Sequence, residues 1–388
     1  MLSSVSSSVS SSVSSSVSSS VSSNISPNNK PHIVPNTTHC NIDNALDQLQ
    51  QFDAVIDVRS PGEFAEDHIP GAINCPVLDD QQRIQVGTLY KQVSVFEAQK
   101  LGAALVARNI AQHLEHRFAQ HPRSWKPLIY CWRGGKRSGA MGHILRQVGW
   151  QAQTLEGGYR AYRKAILLRL GALADALQFR VICGVTGSAK SRLLEQLAAA
   201  GAQVLDLEAL ACHRGSLLGE LPGAPQPSQK MFDSLVWDAL RGFDVSRPVY
   251  VEAESKKIGN LQVHEQLMAR MRAGACIRID VPLPARVEFL VAEYQHFLSQ
   301  PAVLKEKLSH LKALHGNERI ADWDALIDAG HWTELVTQLL AQHYDPAYLR
   351  SSSTNYPGLA QAQVLNLNAL TTDSLQRAAG ALMQGGGG

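Results

Sequence analysis

The sequence predicts an α/β protein in which two parallel-sheet domains follow one another along the chain. Three observations carry the prediction: a β-branched run at 54–58, an apolar run at 127–130 that leads into a glycine loop, and another at 179–183 that leads into a second glycine loop. Strands that alternate with helices favour parallel sheets, whose ligand sites lie at the carboxyl ends of the strands. A chain of 388 residues has room for two such domains beside its terminal tails.

Local patterns define the first domain, which we place at residues 40–165. Residues 54–58 predict a buried strand, since β-branched side chains predominate and Ser60-Pro61-Gly62 is a turn signal. Residues 127–130 predict a second strand. Apolar residues then recur at helical spacing over 140–148, which predicts a helix there.

The second domain spans residues 166–283, and a predicted helix at 162–178 leads into its first strand. Its strands are predicted at 179–183, 204–206, 248–251 and 276–280, with an exposed proline-containing loop at 221–228. Leucine spacing predicts a helical extension at 284–350, packed on the second sheet or forming an appendage. Residues 351–388 are assigned to a C-terminal segment with a flexible glycine tail.

Composition excludes several classes of protein. No apolar run approaches the roughly 20 residues of a membrane helix. With 36 basic and 34 acidic residues, the net charge of +2 excludes a polybasic binder, so any nucleic acid must be met by a local patch. The six cysteines form no C-x-x-C pair, which argues against a disulfide scaffold and a zinc site and fits a reducing cytoplasm.

The N-terminal residues 1–39 predict a disordered tail. Residues 1–23 contain 16 Ser and 5 Val, too few large apolar groups to offset the entropy of ordering. The segment lacks the continuous apolar core of a secretory signal and the arginines of a transit peptide.

A cysteine loop follows the second predicted strand. Backbone amides that curl into an anion nest before a helix would stabilise the thiolate of Cys131. The remaining candidate catalytic residues add positive charge, glycine freedom and a hydroxyl group: Arg133, Gly134, Gly135, Lys136, Arg137 and Ser138. A buried structural thiol beside a surface basic cluster is the alternative reading of the same residues.

Around this loop the sequence resembles the rhodanese family. The resemblance rests on Asp57-Val58-Arg59, Glu63-Phe64 and His68-Ile69-Pro70-Gly71-Ala72, followed by Cys131, and covers residues 50–160. It implies a rhodanese-like sheet domain in which Cys131 carries sulfur or selenium. The spacing from Cys131 to Arg137 is C-x5-R, one residue longer than the usual sulfur-transfer loop and similar to that of cysteine phosphatases. The longer loop admits selenophosphate as a substrate, and it also admits a phosphatase. Cys75 lacks such surroundings and is predicted to be structural.

A second anion loop lies between an apolar strand and a helix start, the context that a P-loop requires. Its amides would hold phosphates, Lys190 would reach the outer phosphate, and Ser191 could bind magnesium. Ala189 replaces the second glycine of the pattern, which would cost about 1 kcal/mol if the position needs positive φ. We expect diphosphate binding, with nucleoside triphosphate binding in doubt, by residues Gly184, Thr186, Gly187, Ser188, Ala189, Lys190 and Ser191.

Polar residues follow two further strands of this domain. Glu252 and Glu254 should share one face of a strand near the carboxyl edge of the sheet, where they could hold magnesium, transfer a proton or lie solvated. Asp206, Glu208, His213 and Arg214 could line the same cleft, although taken by itself His213 is better read as a satisfied surface histidine.

Together these features resemble the bacterial tRNA 2-selenouridine synthase family. The further residues that carry the resemblance are Leu205-Asp206-Leu207-Glu208, His213-Arg214-Gly215-Ser216, Glu252-Ala253-Glu254-Ser255 and Tyr344-Asp345-Pro346-Ala347-Tyr348. The resemblance implies conversion of wobble 2-thiouridine in tRNA to 2-selenouridine with selenophosphate, through an S-geranyl intermediate made from geranyl diphosphate. It implies tRNA as the partner, admits magnesium and a selenophosphate synthetase, and assigns no other metal.

The family chemistry divides between the two loops. The P-loop domain would bind geranyl diphosphate, and Cys131 would receive or relay selenium. Unpaired bases of an anticodon loop can stack on aromatic or guanidinium planes, so Trp132, Tyr159, Arg160 and Arg163 are candidate contacts, with core packing as the alternative for the aromatics. Two other functions stay open: a small-molecule sulfurtransferase or cysteine phosphatase fused to a kinase-like domain, and a regulatory module with an inactive P-loop.

Overall fold

The computed structural model describes residues 38–384 of the chain. The predictions for the Ser/Val-rich tail and the terminal glycines fall outside the described residues, except that the first strand already begins at His39. None of the helices within 38–384 has the length and apolar character needed to cross a membrane.

A parallel sheet of five strands forms the N-terminal part, in the order β1-β5-β4-β2-β3. Its strands are β1 (His39–Cys40), β2 (Ala54–Asp57), β3 (Ile73–Asn74), β4 (Pro127–Tyr130) and β5 (Gln153–Leu155). Every residue of the central strand β4 is buried, because helices cover both faces of the sheet. Asp57 lies opposite Tyr130 in the register, so the chain leaves β2 and β4 at the same edge.

Helices connect these strands, as the predicted alternation requires. They are α1 (Ile42–Asp47), α2 (Pro61–Glu66), α3 (Asp80–Gln92), α4 (Val95–His113), α5 (Lys136–Val148) and α6 (Gly158–Ala176), with a 3-10 turn at Leu49–Gln51 and a π turn at Leu114–Phe118. The helix predicted at 140–148 begins four residues earlier, at Lys136. Its first turn is polar, so apolar spacing could not mark it.

A second sheet of five parallel strands has the order β12-β11-β6-β8-β7. Its strands are β6 (Phe179–Cys183), β7 (Gln203–Leu205), β8 (Val249–Glu252), β11 (Ala275–Asp280) and β12 (Gln363–Asn366), and a separate antiparallel pair is formed by β9 (Lys257–Ile258) and β10 (Leu261–Gln262). The sheet therefore takes its last strand from residues that the sequence analysis left without secondary structure. The α/β prediction with two parallel sheets is confirmed.

The remaining helices cover the second sheet and build the C-terminal region. They are α7 (Lys190–Ala199), α8 (Leu207–Leu210), α9 (Gln229–Arg241), α10 (Glu265–Arg272), α11 (Leu283–Glu293), α12 (Gln295–Leu298), α13 (Pro301–Ser309), α14 (Lys312–Asp328), α15 (Trp332–Leu339), α16 (Asp345–Asn355) and α17 (Thr372–Gln384), with a π turn at Leu340–Tyr344 and a 3-10 turn at Pro357–Gln361.

The C-terminal helices are used in two ways. Those at 295–339 surround a core of their own, centred on the fully buried Trp323. Helix α17 instead packs on the sheet beside α7, where Leu382 joins the cluster that contains Leu193. The appendage therefore belongs to the extension predicted at 284–350, whereas the helix that packs beside α7 comes from the C-terminal segment predicted at 351–388.

One hydrophobic core joins the two sheets. It contains Tyr130 and Tyr162 from the first part of the chain and Trp237 and Val251 from the second. The rings of Tyr162 and Trp237 meet edge to face with centroids 5.9 Å apart. The two sheets therefore belong to one packed unit.

Candidate functional site

The cysteine loop leaves the first sheet directly after β4, and Cys131 is its first residue. The loop is tied to the start of α6, since the Tyr159 amide donates to the Cys131 carbonyl at 2.8 Å. Gly134 has φ +64°, and a Cβ placed there would lie 2.4 Å from the carbonyl oxygen of Leu155. A side chain at Gly134 would force the loop away from α6.

Hydrogen bonds point inward at the Cys131 thiol. Burial alone would raise the pKa of Cys131, but the Ser138 hydroxyl and the backbone amides of Ser138, Gly135 and Arg133 outweigh it, so the pKa is lowered. The Ser138 Oγ donates to the Cys131 Sγ at 3.2 Å. Because the thiolate is the reactive form of cysteine, these hydrogen bonds favour Cys131 as a nucleophile over the chain's other buried thiols.

The pKa values of four other thiols are shifted in the opposite direction to that of Cys131. Burial is the largest influence on each, and it raises the pKa of Cys40, Cys75, Cys183 and Cys276. All six cysteines of the chain are free. The nucleophilic environment is a property of the Cys131 loop and not of burial in this fold.

The basic residues of the loop have different surroundings. Arg133 and Lys136 are exposed at its mouth. The Arg137 guanidinium donates to the Glu63 carboxylate at 2.9 Å, and this contact holds the pKa of Glu63 below its usual value against the opposing effect of burial. Arg137 is therefore anchored to α2, whereas Arg133 and Lys136 can meet an anion.

Tyr159 and Arg163 were candidate base contacts, and the structure places both elsewhere. Tyr159 is 3% exposed and donates its hydroxyl to the buried carboxylate of Asp67 at 2.7 Å. Arg163 is paired with Asp233 of α9. Tyr159 is thus buried and Arg163 half-buried in an ion pair, while Trp132 and Arg160 stay exposed. The Trp132 ring stacks on Tyr159 with ring centroids 5.3 Å apart.

The sequence analysis missed the buried ionic group beneath this loop. Arg59, 1% exposed, pairs with Asp57 at 2.7 Å and lies 3.9 Å above the ring of Tyr159. Asp67 accepts a further hydrogen bond from Ser234 at 2.8 Å, across the boundary between the two sheets. The available signal was a charged Asp-Val-Arg segment directly after an apolar strand.

The P-loop lies between β6 and α7, with Lys190 as the first residue of the helix. Ala189 adopts φ +59° and ψ 35°, the left-handed region, so the position does need the conformation that glycine favours. The strain costs about 1 kcal/mol. The loop therefore has P-loop geometry in spite of the alanine.

Residues of the helical region brace the P-loop from outside. Arg286 donates to the carbonyl of Thr186 at 2.9 Å and holds Asp345 through two bonds of 3.0 and 2.6 Å. The amide of Gly184 donates to the Tyr348 hydroxyl at 2.8 Å. Asp345 and Tyr348 belong to the 344–348 segment that carries the family resemblance, and in the structure they hold Arg286 and the Gly184 amide in place.

An acidic cluster lies beside Lys190. Glu208, Glu252 and Glu254 each place a carboxylate oxygen within 4.8 Å of the others. Lys190 Nζ is 3.9 Å from Glu252 Oε2, and Ser191 Oγ donates to Glu208 Oε2 at 3.3 Å. The sequence predicted that Glu252 and Glu254 could hold magnesium, and the structure brings both of them together with Glu208.

The electrostatics of the cluster follow from its burial. Burial, with the neighbouring carboxylates, raises the pKa of Glu208 to about 9 and that of Glu254 to about 8. Burial likewise raises the pKa of Glu252. One oxygen of Glu252 is buried without a hydrogen-bond partner, as is the hydroxyl of Ser188. The cluster favours protons or a cation.

Most of the predicted phosphate-binding and supporting residues line one cavity, with a volume of about 360 Å³. We call it the phosphate cavity, and these are Thr186, Gly187, Ala189, Lys190, Ser191, Asp206, Glu208, His213, Arg214 and Glu252. Gly184, Ser188 and Glu254 are not part of its wall. The structure adds Arg192 and Glu293, which pair at 2.6 Å.

Three supporting residues have defined local contacts. Asp206 caps α8 by accepting from the Ala209 amide at 2.8 Å. His213 is buried, not on the surface, and accepts from the Gly215 amide at 3.0 Å, while burial lowers its pKa. Arg214 lies 3.3 Å from Glu293. These contacts hold the wall of the phosphate cavity opposite the P-loop.

Two family models match the chain, one for each sheet. Residues 41–165 match the rhodanese-like domain, and residues 177–358 match the tRNA 2-selenouridine synthase AAA domain. The first match agrees with the rhodanese resemblance of the cysteine loop.

Several similar proteins carry the name tRNA 2-selenouridine synthase. The one from Cupriavidus necator is 32% identical over 330 residues, which cover 76% of this chain and 87% of that protein. The one from Nitrosomonas europaea is 36% identical over 247 residues, with 62% of this chain and 63% of that protein covered. The one from Marinobacter nauticus is 37% identical over 246 residues, with 62% and 65% covered. The chain matches less than two thirds of the length of the latter two.

Proposed function

Because this chain belongs to the tRNA 2-selenouridine synthase family, we propose that it converts wobble 2-thiouridine in tRNA to 2-selenouridine in two steps. Geranyl diphosphate first alkylates the sulfur, and selenium supplied as selenophosphate then replaces the geranylated sulfur. The observation that carries the proposal is the presence, in one packed unit, of an activated thiol in an anion-binding loop and a P-loop with its lysine.

The first step suits the phosphate cavity. The thiouridine sulfur forms a bond to C1 of the geranyl chain, the C1–O bond breaks, and diphosphate leaves with the bonding pair. Lys190 and the loop amides would stabilise the charge that develops on the departing diphosphate. The uracil ring loses its N3 proton, so the product is neutral. An ionised carboxylate of the acidic cluster, which lies beside Lys190, would accept that proton.

Magnesium fits the same cavity. Magnesium prefers oxygen ligands, and the unpartnered oxygen of Glu252 lies beside Glu208 and the Ser191 hydroxyl. These three side chains would hold the ion. Bound there, it would supply positive charge to the diphosphate.

The second step suits the Cys131 loop. The selenium of selenophosphate forms a bond to C2 of the base, the C2–S bond breaks, and the geranyl group leaves as a thiol, which is a better leaving group than the original thiocarbonyl sulfur. Water then attacks phosphorus, the P–Se bond breaks and phosphate is released. We assign Cys131 the role of receiving or relaying selenium. The inward amides of the loop and the exposed Arg133 and Lys136 would hold the anionic donor.

The proposal includes tRNA as partner, an enzyme that makes selenophosphate as supplier, and the cytoplasm as location. Trp132 and Arg160, both exposed beside the thiol loop, are the remaining candidates for stacking on the unpaired base. The protein has a small net charge, so contact with tRNA must depend on such local residues.

The test is mass spectrometry of nucleosides from tRNA containing 2-thiouridine, incubated with the protein, geranyl diphosphate and selenophosphate. We expect selenouridine from wild type, geranylated thiouridine accumulating with Cys131→Ala, and neither product with Lys190→Ala. Cys75→Ala and Lys164→Ala are matched controls, because Cys75 lies outside the loop and Lys164 is exposed on α6.

Unchanged tRNA with wild-type protein would contradict the proposal. The C-x5-R spacing would then favour the second candidate, a cysteine phosphatase or sulfurtransferase acting on small molecules. That candidate predicts hydrolysis of an aryl phosphate, or cyanide-dependent sulfur transfer from thiosulfate, that is lost in Cys131→Ala.

A further inference from the structure

A narrow apolar cavity lies inside the C-terminal helical region, and the sequence analysis gave it no function. Its volume is about 70 Å³, and no charged side chain lines it. Its apolar wall comes from α11, α12, α13, α15 and the π turn and includes Leu290, Phe297, Leu304, Trp332, Val336 and Leu340. We call it the chain cavity.

The chain cavity adjoins the phosphate cavity. Thr186, Ser216, Leu290 and Tyr294 line both of them. Thr186 belongs to the P-loop itself, so the apolar space begins beside the loop that would hold the phosphates. A ligand that occupies both cavities must have an anionic head and an apolar tail.

The shape and chemistry of the wall narrow the class of ligand. A volume of about 70 Å³ corresponds to about five water-sized positions, which suits a slender chain better than a bulky ring system. The wall is dominated by aliphatic and aromatic side chains, which gain free energy by excluding water from an apolar chain. A nucleoside would leave its ribose hydroxyl and base nitrogen groups largely without partners there.

We propose that the chain cavity binds the apolar chain of an isoprenoid diphosphate whose diphosphate group lies on the P-loop. The proposal rests on the assignment of a diphosphate to that loop in the proposed function. It gives the helical region a second role beyond bracing the P-loop: the region selects the ligand by its chain.

The bracing contacts explain why the two cavities stay aligned. Arg286 and Leu290 lie one turn apart on α11. Arg286 holds the Thr186 carbonyl, and Leu290 lines both cavities. The same helix thus fixes the position of the phosphate head and forms the wall beside the first carbons of the chain.

Binding without tRNA or selenophosphate tests this proposal separately from the overall reaction. Isothermal titration should show that wild-type protein binds geranyl diphosphate at least 100-fold more tightly than methyl diphosphate, which has the same head and no chain. ADP, with a diphosphate and a ribose-purine tail, should also bind more weakly than geranyl diphosphate.

Filling the chain cavity with larger side chains should remove the preference for geranyl diphosphate over methyl diphosphate. Val336→Phe places extra atoms in the cavity from α15, and Val291→Phe does so from α11. Each should weaken geranyl diphosphate at least 10-fold and leave methyl diphosphate within 2-fold, which also shows that the P-loop is still folded. Val303→Phe is the matched control, because Val303 is exposed on α13 and does not line the cavity.

The proposal is overturned if wild type binds methyl and geranyl diphosphate equally, or if both filled variants keep the wild-type preference. ADP binding more tightly than geranyl diphosphate would overturn it in favour of a nucleotide. If the protein forms selenouridine but binds methyl and geranyl diphosphate equally, only the role of the chain cavity is refuted. If it prefers geranyl diphosphate but leaves tRNA unchanged, only the proposed reaction is refuted.

Discussion

Replacing Ser138 with alanine should raise the pKa of the Cys131 thiol. The Ser138 hydroxyl donates to Sγ at 3.2 Å inside the first turn of α5, and both residues are buried. A hydrogen bond to a charged group contributes about 1.5–3 kcal/mol. Because one pKa unit corresponds to about 1.4 kcal/mol, the loss of this bond should raise the pKa by about 1–2 units.

At a pH below the pKa, the thiolate fraction should then fall about 10- to 100-fold, since each pKa unit changes it by about tenfold. The assay is the rate of alkylation of Cys131 by iodoacetamide as a function of pH, followed by peptide mass spectrometry. The midpoint should move upward in Ser138→Ala and return toward wild type in Ser138→Thr, which keeps a hydroxyl group.

Ser94→Ala is the matched control, because Ser94 caps α4 in the same domain with no contact to the thiol. It should leave the midpoint of Cys131 alkylation unchanged. An unchanged midpoint in Ser138→Ala would refute the reasoning, since the backbone amides alone would then account for the lowered pKa.

Three further predictions concern the second sheet. The pKa of Glu208 is raised from 4.5 to about 9, so the folded chain holds a proton that the unfolded chain releases, and the free energy of unfolding should fall as pH rises through that window. Urea unfolding at about pH 6 and about pH 8 should show this fall in the free energy of unfolding. Added magnesium and the substitution Glu208→Gln should each make the fall smaller. A free energy of unfolding that rises with pH would contradict the prediction. Arg286→Ala should lower the free energy of unfolding by about 3 kcal/mol, because it leaves the partly buried Asp345 without its buried partner. A loss below about 1 kcal/mol, measured by urea unfolding, would show that Arg286 does not hold the P-loop in place. Ala189→Gly should change the free energy of unfolding little, because about 1 kcal/mol of relieved backbone strain is offset by the greater entropy of the unfolded chain. The control Ala107→Gly, within α4, should lower the free energy of unfolding by about 1 kcal/mol. Equal losses in the two variants would show that Ala189 is unstrained.

The sequence predicted six of the ten strands in the two five-stranded sheets, because buried parallel strands are continuous apolar runs, and it left out the short strands β1, β3 and β5 as well as β12. Two of the six, β4 and β6, have the predicted bounds. Strands β2 and β11 differ by one residue at one end, and β7 and β8 are shifted by one residue at both ends. Strand β12 escaped prediction because its residues are largely exposed at the sheet edge, so its Gln363-Val364-Leu365-Asn366 run carries no strong apolar signal. An exposed edge strand such as β12 can be recognised only from its hydrogen-bonded pairing with the neighbouring strand β11.

The two loops could be predicted because each is a contiguous segment between a strand and a helix. Their supports could not, since they come from distant parts of the chain. Arg286 reaches Thr186 and Asp345 only because α11 crosses above the P-loop, and no spacing in the sequence encodes that crossing. Tyr159 was ambiguous for a related reason, because an aromatic residue after a glycine pair suits stacking or burial equally well.

Asp67 gives a physical reason for joining the two loops in one chain. Its buried carboxylate accepts from Tyr159, which touches the thiol loop through its backbone, and from Ser234 on the helix that covers the second sheet. Burial raises the pKa of Asp67, and these two donors oppose the rise. A buried carboxyl group with a partner in each half leaves an unsatisfied polar group if the halves separate, which costs about 1–3 kcal/mol. The network therefore favours a fixed arrangement of the thiol loop and the second sheet, as expected if a single bound tRNA must be presented to both sites in succession.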